Sequence, residues 1–280
     1  MTPDQIAKFD AFKALHDAPA AFVIPNPWDA GSARILTALG FHALATTSGG
    51  LAFSMGRDDS PTLIGRAATI ANAAAIAAAT PLPVSADLQQ GFGPTPEDCA
   101  DTIAQAIAAG LVGGSIEDAT DDPANPVFPF DAAVARIRAA VEAARGQPFL
   151  LTARAENYLH ARRDLSDTIR RLQAYELAGA DVLFAPGLPD LDAIRLVCQS
   201  LKKPVNVVMG LQGQTYSVED LAAAGVKRIS TGGSLARAAL GALTHAAAEI
   251  RDFGTFTYAT RALPGGLTGR LTSRVVLPNP

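Results

Sequence analysis

Apolar residues recur along this chain in two alternating periods. Short runs rich in Val, Ile, Leu and Phe, with period two, read as strands. Longer Ala/Leu-rich segments between them, with period 3.6, read as helices. The strands are expected at 22–26, 42–48, 83–88, 114–118, 149–156, 181–186, 205–209 and 228–232. Helices are expected at 29–39, 61–79, 96–109, 131–145, 165–178, 188–201, 218–224 and 234–250. Four helices end in a repeated signature: Leu39-Gly40-Phe41, Ala109-Gly110-Leu111, Ala178-Gly179-Ala180 and Ala224-Gly225-Val226. Each places Gly where a helix C-terminus adopts left-handed φ, just before a strand.

Eight βα units in succession predict an α/β fold of one class, a single closed (β/α)₈ TIM barrel over residues 1–280. Residues 1–21 form a helical cap, and 253–280 a helical or irregular C-terminal extension outside the repeat. The alternative is an open doubly wound sheet. Its G-x-G-x-x-G signal is absent after the first strand, where the chain reads Pro25-Asn26-Pro27-Trp28-Asp29.

Composition narrows the function. Of 280 residues, 49% are apolar and 18% charged, which suits a large core and not a disordered chain. The net charge of -4, without a basic cluster, argues against a nucleic-acid or membrane partner. An anionic substrate would need positive charge built into its own site. The alanine-rich run 67–79 is too short for a membrane span, and the N-terminus lacks a signal-peptide pattern. Cys99 and Cys198 are expected as reduced, buried thiols. Together these point to the cytoplasm.

Chemistry in a barrel collects at the C-terminal ends of the strands. Those ends carry Asn26; Thr47, Ser48, Gly49 and Gly50; Asp87 and Gln89; Glu117 and Asp118; Arg154 and Glu156; Asn206; and Gly232, Gly233 and Ser234. Asp87 and Glu117, on neighbouring strands, suit a hard divalent cation such as Mg²⁺, or else serve as caps or ion-pair partners. Arg154 would grip a substrate carboxylate or pair with Glu117 or Glu156. Ser48-Gly49-Gly50 offers a nest of backbone N–H groups for an oxyanion, or a plain Gly-rich turn. Gly232-Gly233 is a phosphate cup or a tight turn. Segment 119–130, long and Pro-rich, is expected as a structureless lid. The four histidines share no ligand spacing and are expected to be structural or surface residues.

These residues, in this order, resemble the isocitrate lyase/phosphoenolpyruvate mutase superfamily. The resemblance rests on Thr47-Ser48-Gly49-Gly50, Gly56-Arg57-Asp58, Ala86-Asp87-Leu88-Gln89-Gln90-Gly91-Phe92-Gly93, Ser115-Ile116-Glu117-Asp118 and Ala153-Arg154. It implies a Mg²⁺-dependent enzyme (Mn²⁺ as the alternative metal) that makes or breaks C–C or P–C bonds beside a 2-oxo carboxylate. It implies metal-shell roles for Asp58, Asp87 and Glu117, an enolate held at Ser48-Gly49, and a carboxylate held by Arg154. Catalytic roles then fall to Ser48, Arg154 and Glu117, with Thr47, Gly50, Asn206 and Gly232 lining the substrate. The family usually carries a second acid where this chain has Gln89. The lid has no Lys, Cys or His, and Asn125 is its gate candidate. The expected reaction is decarboxylation of a small 2-oxo diacid such as oxaloacetate. The alternatives are a phosphoenolpyruvate-type mutase or phosphonopyruvate hydrolase, a methylisocitrate-like lyase, or a barrel that binds 2-oxo acids without turnover. The resemblance also implies a homotetramer with the last helix swapped between subunits.

Overall fold

The computed structural model describes residues 2–211 and 213–273. Positions 274–280 of the expected extension lie outside the described residues. Eight strands are present: β1 (Phe22–Ile24), β2 (Leu44–Ala45), β3 (Val84–Asp87), β4 (Gly113–Glu117), β5 (Leu150–Arg154), β6 (Val182–Phe184), β7 (Val205–Val208) and β8 (Arg228–Ser230). All pairings are parallel, in the order β1-β8-β7-β6-β5-β4-β3-β2. β1 stops before Pro25 and Pro27, which have no N–H to give a ladder. Its seam with β2 is held instead by Ala45 N–H donating to Pro25 O at 3.1 Å and Asn26 Nδ2 donating to Thr46 O at 2.7 Å. The sheet is thereby a nearly closed barrel.

Helices cover it in sequence order: α1 (Pro3–Asp17), α2 (Ala30–Ala38), α3 (Ser48–Ser54), α4 (Pro61–Ala79), α5 (Pro96–Ala108), α6 (Phe130–Ala144), α7 (Leu165–Ala178), α8 (Leu191–Gln199), α9 (Val218–Ala223), α10 (Ser234–Phe253) and α11 (Gly265–Thr272). Side-chain caps fix their starts. Asp29 and Ser32, Thr95 and Asp98, and Ser217 and Asp220 form reciprocal capping boxes. Gly179 ends α7 at φ 109°, the left-handed conformation its helix-end signature predicts. α3 departs from the sequence reading, which has a turn there. Two glycines weaken helix propensity, and the Thr47 side chain capping Gly50 N–H starts the helix regardless.

Strand alternation sorts the side chains into two cores. Ala86, Ile116, Ala153, Leu183, Val207 and Ile229 face the helices in the main apolar cluster. Phe12 of α1 closes the barrel base with Ile24, Ala43, Val112 and Leu150. Inward positions above that base are polar: Ser85, Ser115, Thr152, Asn206, Arg228 and Ser230. Barrels usually fill this space with bulky branched residues; here it remains partly open. Beyond α10 the chain returns to its own barrel, with Arg34 Nη1 donating to Thr272 O at 2.9 Å. Among the described residues, no helix is long and apolar enough to cross a membrane.

Candidate active site

Arg154 ends β5 with its guanidinium among carboxylates. Its Nε donates to Glu156 Oε1 at 3.0 Å, Nη1 to Asp87 Oδ1 at 3.3 Å, and Nη2 lies 3.2 Å from Glu117 Oε2. All four side chains are largely shielded from water. Asp59 joins from the loop after α3: its carboxylate accepts from Ser48 Oγ and from Gln89 Nε2, each at 3.3 Å. Four carboxyl groups share this one guanidinium. Burial, then the charges of Glu156, Asp87 and Asp59, push the Glu117 carboxyl well above the usual carboxylate range, against the pull of Arg154. Asp59 is raised by desolvation and by Asp87. Burial opposes the Arg154 charge, but Glu156, Glu117 and Asp87 more than reverse it and raise its pKa.

The cluster roofs a cavity of about 310 Å³ running down the barrel. Thr47, Ser48, Gly49 and Gly233 line its rim; Ser85, Ser115, Asn206 and Arg228 line its depth. Ser48 is already engaged, its N–H and Oγ both donating to Asp87 Oδ2 at 3.1 and 2.9 Å. Gly50 lets the chain pack: a Cβ there would meet Thr47 Cγ2 at 2.7 Å and Trp28 Cβ at 2.8 Å. Asn206 is buried and donates to Ser230 Oγ at 3.0 Å. Gly232 lines the cavity, but its N–H donates to Asn26 Oδ1 at 3.0 Å, so the segment is a turn tied to β1.

Other expected residues sit elsewhere. Asp58 and Asp59 are both exposed, but Asp59 alone lines these cavities and reaches the cluster. Segment 119–130 is a small hairpin and not structureless. Ala119 bridges Val127, and Thr120 N–H donates to Pro126 O at 2.9 Å. Asn125 is exposed at its tip, with its side chain donating to Asp122 at 2.9 Å, away from the cluster. Asp118 faces the helices as a structural hub. It accepts from Tyr175 OH at 2.6 Å, Glu156 N–H at 2.8 Å and Arg171 Nη1 at 3.0 Å.

Residues 12–251 match the family model described as phosphoenolpyruvate phosphomutase. The chain belongs to this family. A structure described only as a lyase/mutase, from Burkholderia cenocepacia J2315, is 55% identical over 98% of this chain and 100% of its own, with a TM-score of 0.94. A phosphonopyruvate hydrolase solved with oxalate and Mg²⁺ is 26% identical over 94% of each chain, with a TM-score of 0.84. An oxaloacetate decarboxylase of Chromohalobacter salexigens is 28% identical over 90% of this chain and 88% of its own. These relatives include a lyase/mutase, a hydrolase and a decarboxylase, and this chain is an enzyme of the isocitrate lyase/phosphoenolpyruvate mutase superfamily.

The family places a metal question on the cluster. Among the described residues, no three Asp, Glu, His or Cys side chains stand ready to hold an ion; the Arg154 guanidinium lies between Asp87 and Glu117. The donor chemistry nevertheless fits a hard cation. Asp59 and Asp87 share the Ser48 hydroxyl, Asp87 and Glu117 share the Arg154 guanidinium, and Gln89 Oε1 is buried with no hydrogen-bond partner, so hard oxygen donors gather around one point. Gln89 also holds φ at 48°, uncommon for a non-glycine residue, which places its amide beside Asp59. Mg²⁺ takes few protein oxygens and keeps water for the rest.

Sequence reasoning missed three groups. Asp59 was hidden by the adjacent acid Asp58. His160 lines a second cavity of about 360 Å³ with Gln89, Glu117 and Glu156, beside the cluster. Arg228, which follows Lys227 at the start of a strand, was not singled out. Period-two alternation around Ile229 could have placed it inside.

Proposed function

We propose that this chain is a Mg²⁺-dependent carbon–carbon lyase that acts on a small 2-oxo acid through an enolate. The observation that supports this best is the Asp59–Asp87–Glu117 cluster with the unpartnered Gln89 Oε1, set over a cavity with Ser48 and Gly49 at its rim. Those four side chains would hold the cation, with Mn²⁺ as a substitute. When bound, the ion supplies a Lewis acid beside the 2-oxo oxygen.

The chain's own groups do the rest. Ser48 Oγ and N–H would turn from Asp87, once that carboxylate is taken up by the cation, to the oxygen on which enolate charge develops, beside Gly49 N–H. Arg154 trades its two longer contacts, to Asp87 and Glu117, for the substrate carboxylate, while Glu156 keeps its Nε in place. The hairpin 119–130 contributes no Lys, Cys or His. Decarboxylation asks least of such a site, because water can protonate the enolate. Oxaloacetate is therefore the first substrate to test, and the similarity to an oxaloacetate decarboxylase supports that choice. Purified protein should release pyruvate from oxaloacetate with Mg²⁺ or Mn²⁺. Chelation or Asp87→Ala should abolish release. Metal-independent release, or none from any 2-oxo acid, overturns the reading.

We also propose that the enzyme is a homotetramer built through residues 234–271. α10 and the extension expose Leu243 (64%), Phe253 (78%), Phe256 (63%) and Leu263 (55%), large apolar groups that favour a protein partner over water. A monomer by light scattering at micromolar concentration would overturn this.

A further inference from the structure

Arg228 opens β8 and lies inside the barrel, 6% exposed. Its Nε donates to Asn206 Oδ1 at 2.8 Å and its Nη2 to Thr152 Oγ1 at 2.9 Å, while its buried Nη1 has no partner. Its hydrogen bonds all go to neutral groups. Among the described residues, no ion pair includes it. Burial alone lowers its pKa, to about 9, so it stays charged at neutral pH. His16, the other buried group near it with an unpartnered nitrogen, is held neutral by burial and by Arg228, and offers no counter-charge. A desolvated cation without an anion is costly to fold around. This one lines the floor of the same cavity whose rim carries Ser48, Asp87 and Arg154.

We propose that this floor is an anion subsite, where Arg228 receives a second acidic group of the substrate while the 2-oxo acid end lies at the carboxylate cluster above. The idea rests on the reading of a 2-oxo acid at that cluster. Register sets the span. Thr152, which Arg228 touches, precedes Arg154 by two residues on β5, and Ser115 precedes Glu117 by two on β4. Two residues of strand rise on the order of 6–7 Å, a gap that a five-carbon diacid can bridge. Asn206, Ser115 and Ser230 line the cavity there and offer an amide and hydroxyls beside the guanidinium. Arg228 would stabilise a carboxylate against leaving as CO₂, so the group it holds is one that the reaction keeps, and oxaloacetate, whose distal carboxylate is the one lost, would leave this subsite empty.

The test compares 2-oxoglutarate with 2-oxovalerate, acids of equal length that differ in the terminal carboxylate. Neither is a β-keto acid, so binding can be read without turnover. Calorimetry on the full chain with Mg²⁺ should show the diacid binding about tenfold tighter or more. Arg228→Met should abolish that preference and leave 2-oxovalerate binding within roughly twofold. The variant should melt no lower than the parent, because it loses an unpaired buried charge; Arg228→Lys should retain part of the preference. A preference that survives in Arg228→Met, or none in the parent, overturns the subsite. So does an Arg228-dependent gain from chloride or formate without any diacid preference, which would mean a resident inorganic anion. Arg228-dependent preference without lyase activity would leave the subsite standing and remove the lyase reading. Metal-dependent turnover without the preference would do the reverse.

Discussion

Two arginines enter this barrel one layer apart, and their surroundings are opposite. Arg154 at the rim meets Asp87, Glu117 and Glu156. Arg228 on the floor meets an amide and a hydroxyl and no carboxylate. The rim has too much negative charge and the floor an unmatched positive one. A neutral barrel core would have avoided both. The pair therefore describes a charge gradient along the cavity, from a cation-seeking mouth to an anion-seeking base. A third arginine, Arg171, shows what a purely structural one looks like here: it is buried and shared between Asp118 and Asp167.

The rim should give the largest response. Arg154→Met leaves three shielded carboxylates facing each other. Breaking buried pairs in this way typically costs about 3–5 kcal/mol, and substrate binding should be lost with it. Denaturant titration reads the loss, and added Mg²⁺ should recover part of it. A variant as stable as its parent would mean that the carboxylates do not confront one another. The structural arginine comes next. Asp118→Asn keeps the shape but removes the charge facing Arg171, and should cost roughly 2–4 kcal/mol. Its affinity for 2-oxo acids should follow the parent where the protein is folded. If binding falls while stability holds, Asp118 belongs to the site.

That contrast also shows what the sequence made legible. Alternating strand and helix periods mark all eight βα units, and helix-end glycines mark four of them, because both are local signals. Asp87, Glu117 and Arg154 were legible because each ends a strand whose other positions are apolar or small. α3 was not, since Gly49 and Gly50 read as a turn and only the cap at Thr47 and the packing against Trp28 make it helical. The choice between Asp58 and Asp59 depends on how a non-repetitive loop folds back over Ser48. The hairpin at 119–130 is held by pairings such as Thr120 with Pro126, which carry no periodic mark. Arg228 was the deepest miss, because a charged residue at a strand start normally faces solvent.

The smallest expected effect lies beneath the floor and probes Arg228 from below. His16 of α1 is buried, with its Nδ1 2.8 Å from Phe12 O. Burial first, and the Arg228 charge second, lower its pKa to about 3. An unfolded His16 would titrate near 6.5. The folded state therefore binds fewer protons between those values, so this contribution to stability is fully present above pH 6.5 and drains away as pH falls towards 3. From pH 7 to pH 5.5 the loss should be about 1 kcal/mol. Chemical denaturation at those two values measures it, with His16→Gln as the reference that lacks the titrating group. Arg228→Met should raise the His16 pKa, because it removes the second cause and leaves the first, and should shrink the further loss below about pH 5, where the folded group titrates. If the parent and His16→Gln show the same pH slope, His16 is not held neutral. If Arg228→Met leaves that further loss untouched, the Arg228 charge does not reach the barrel base.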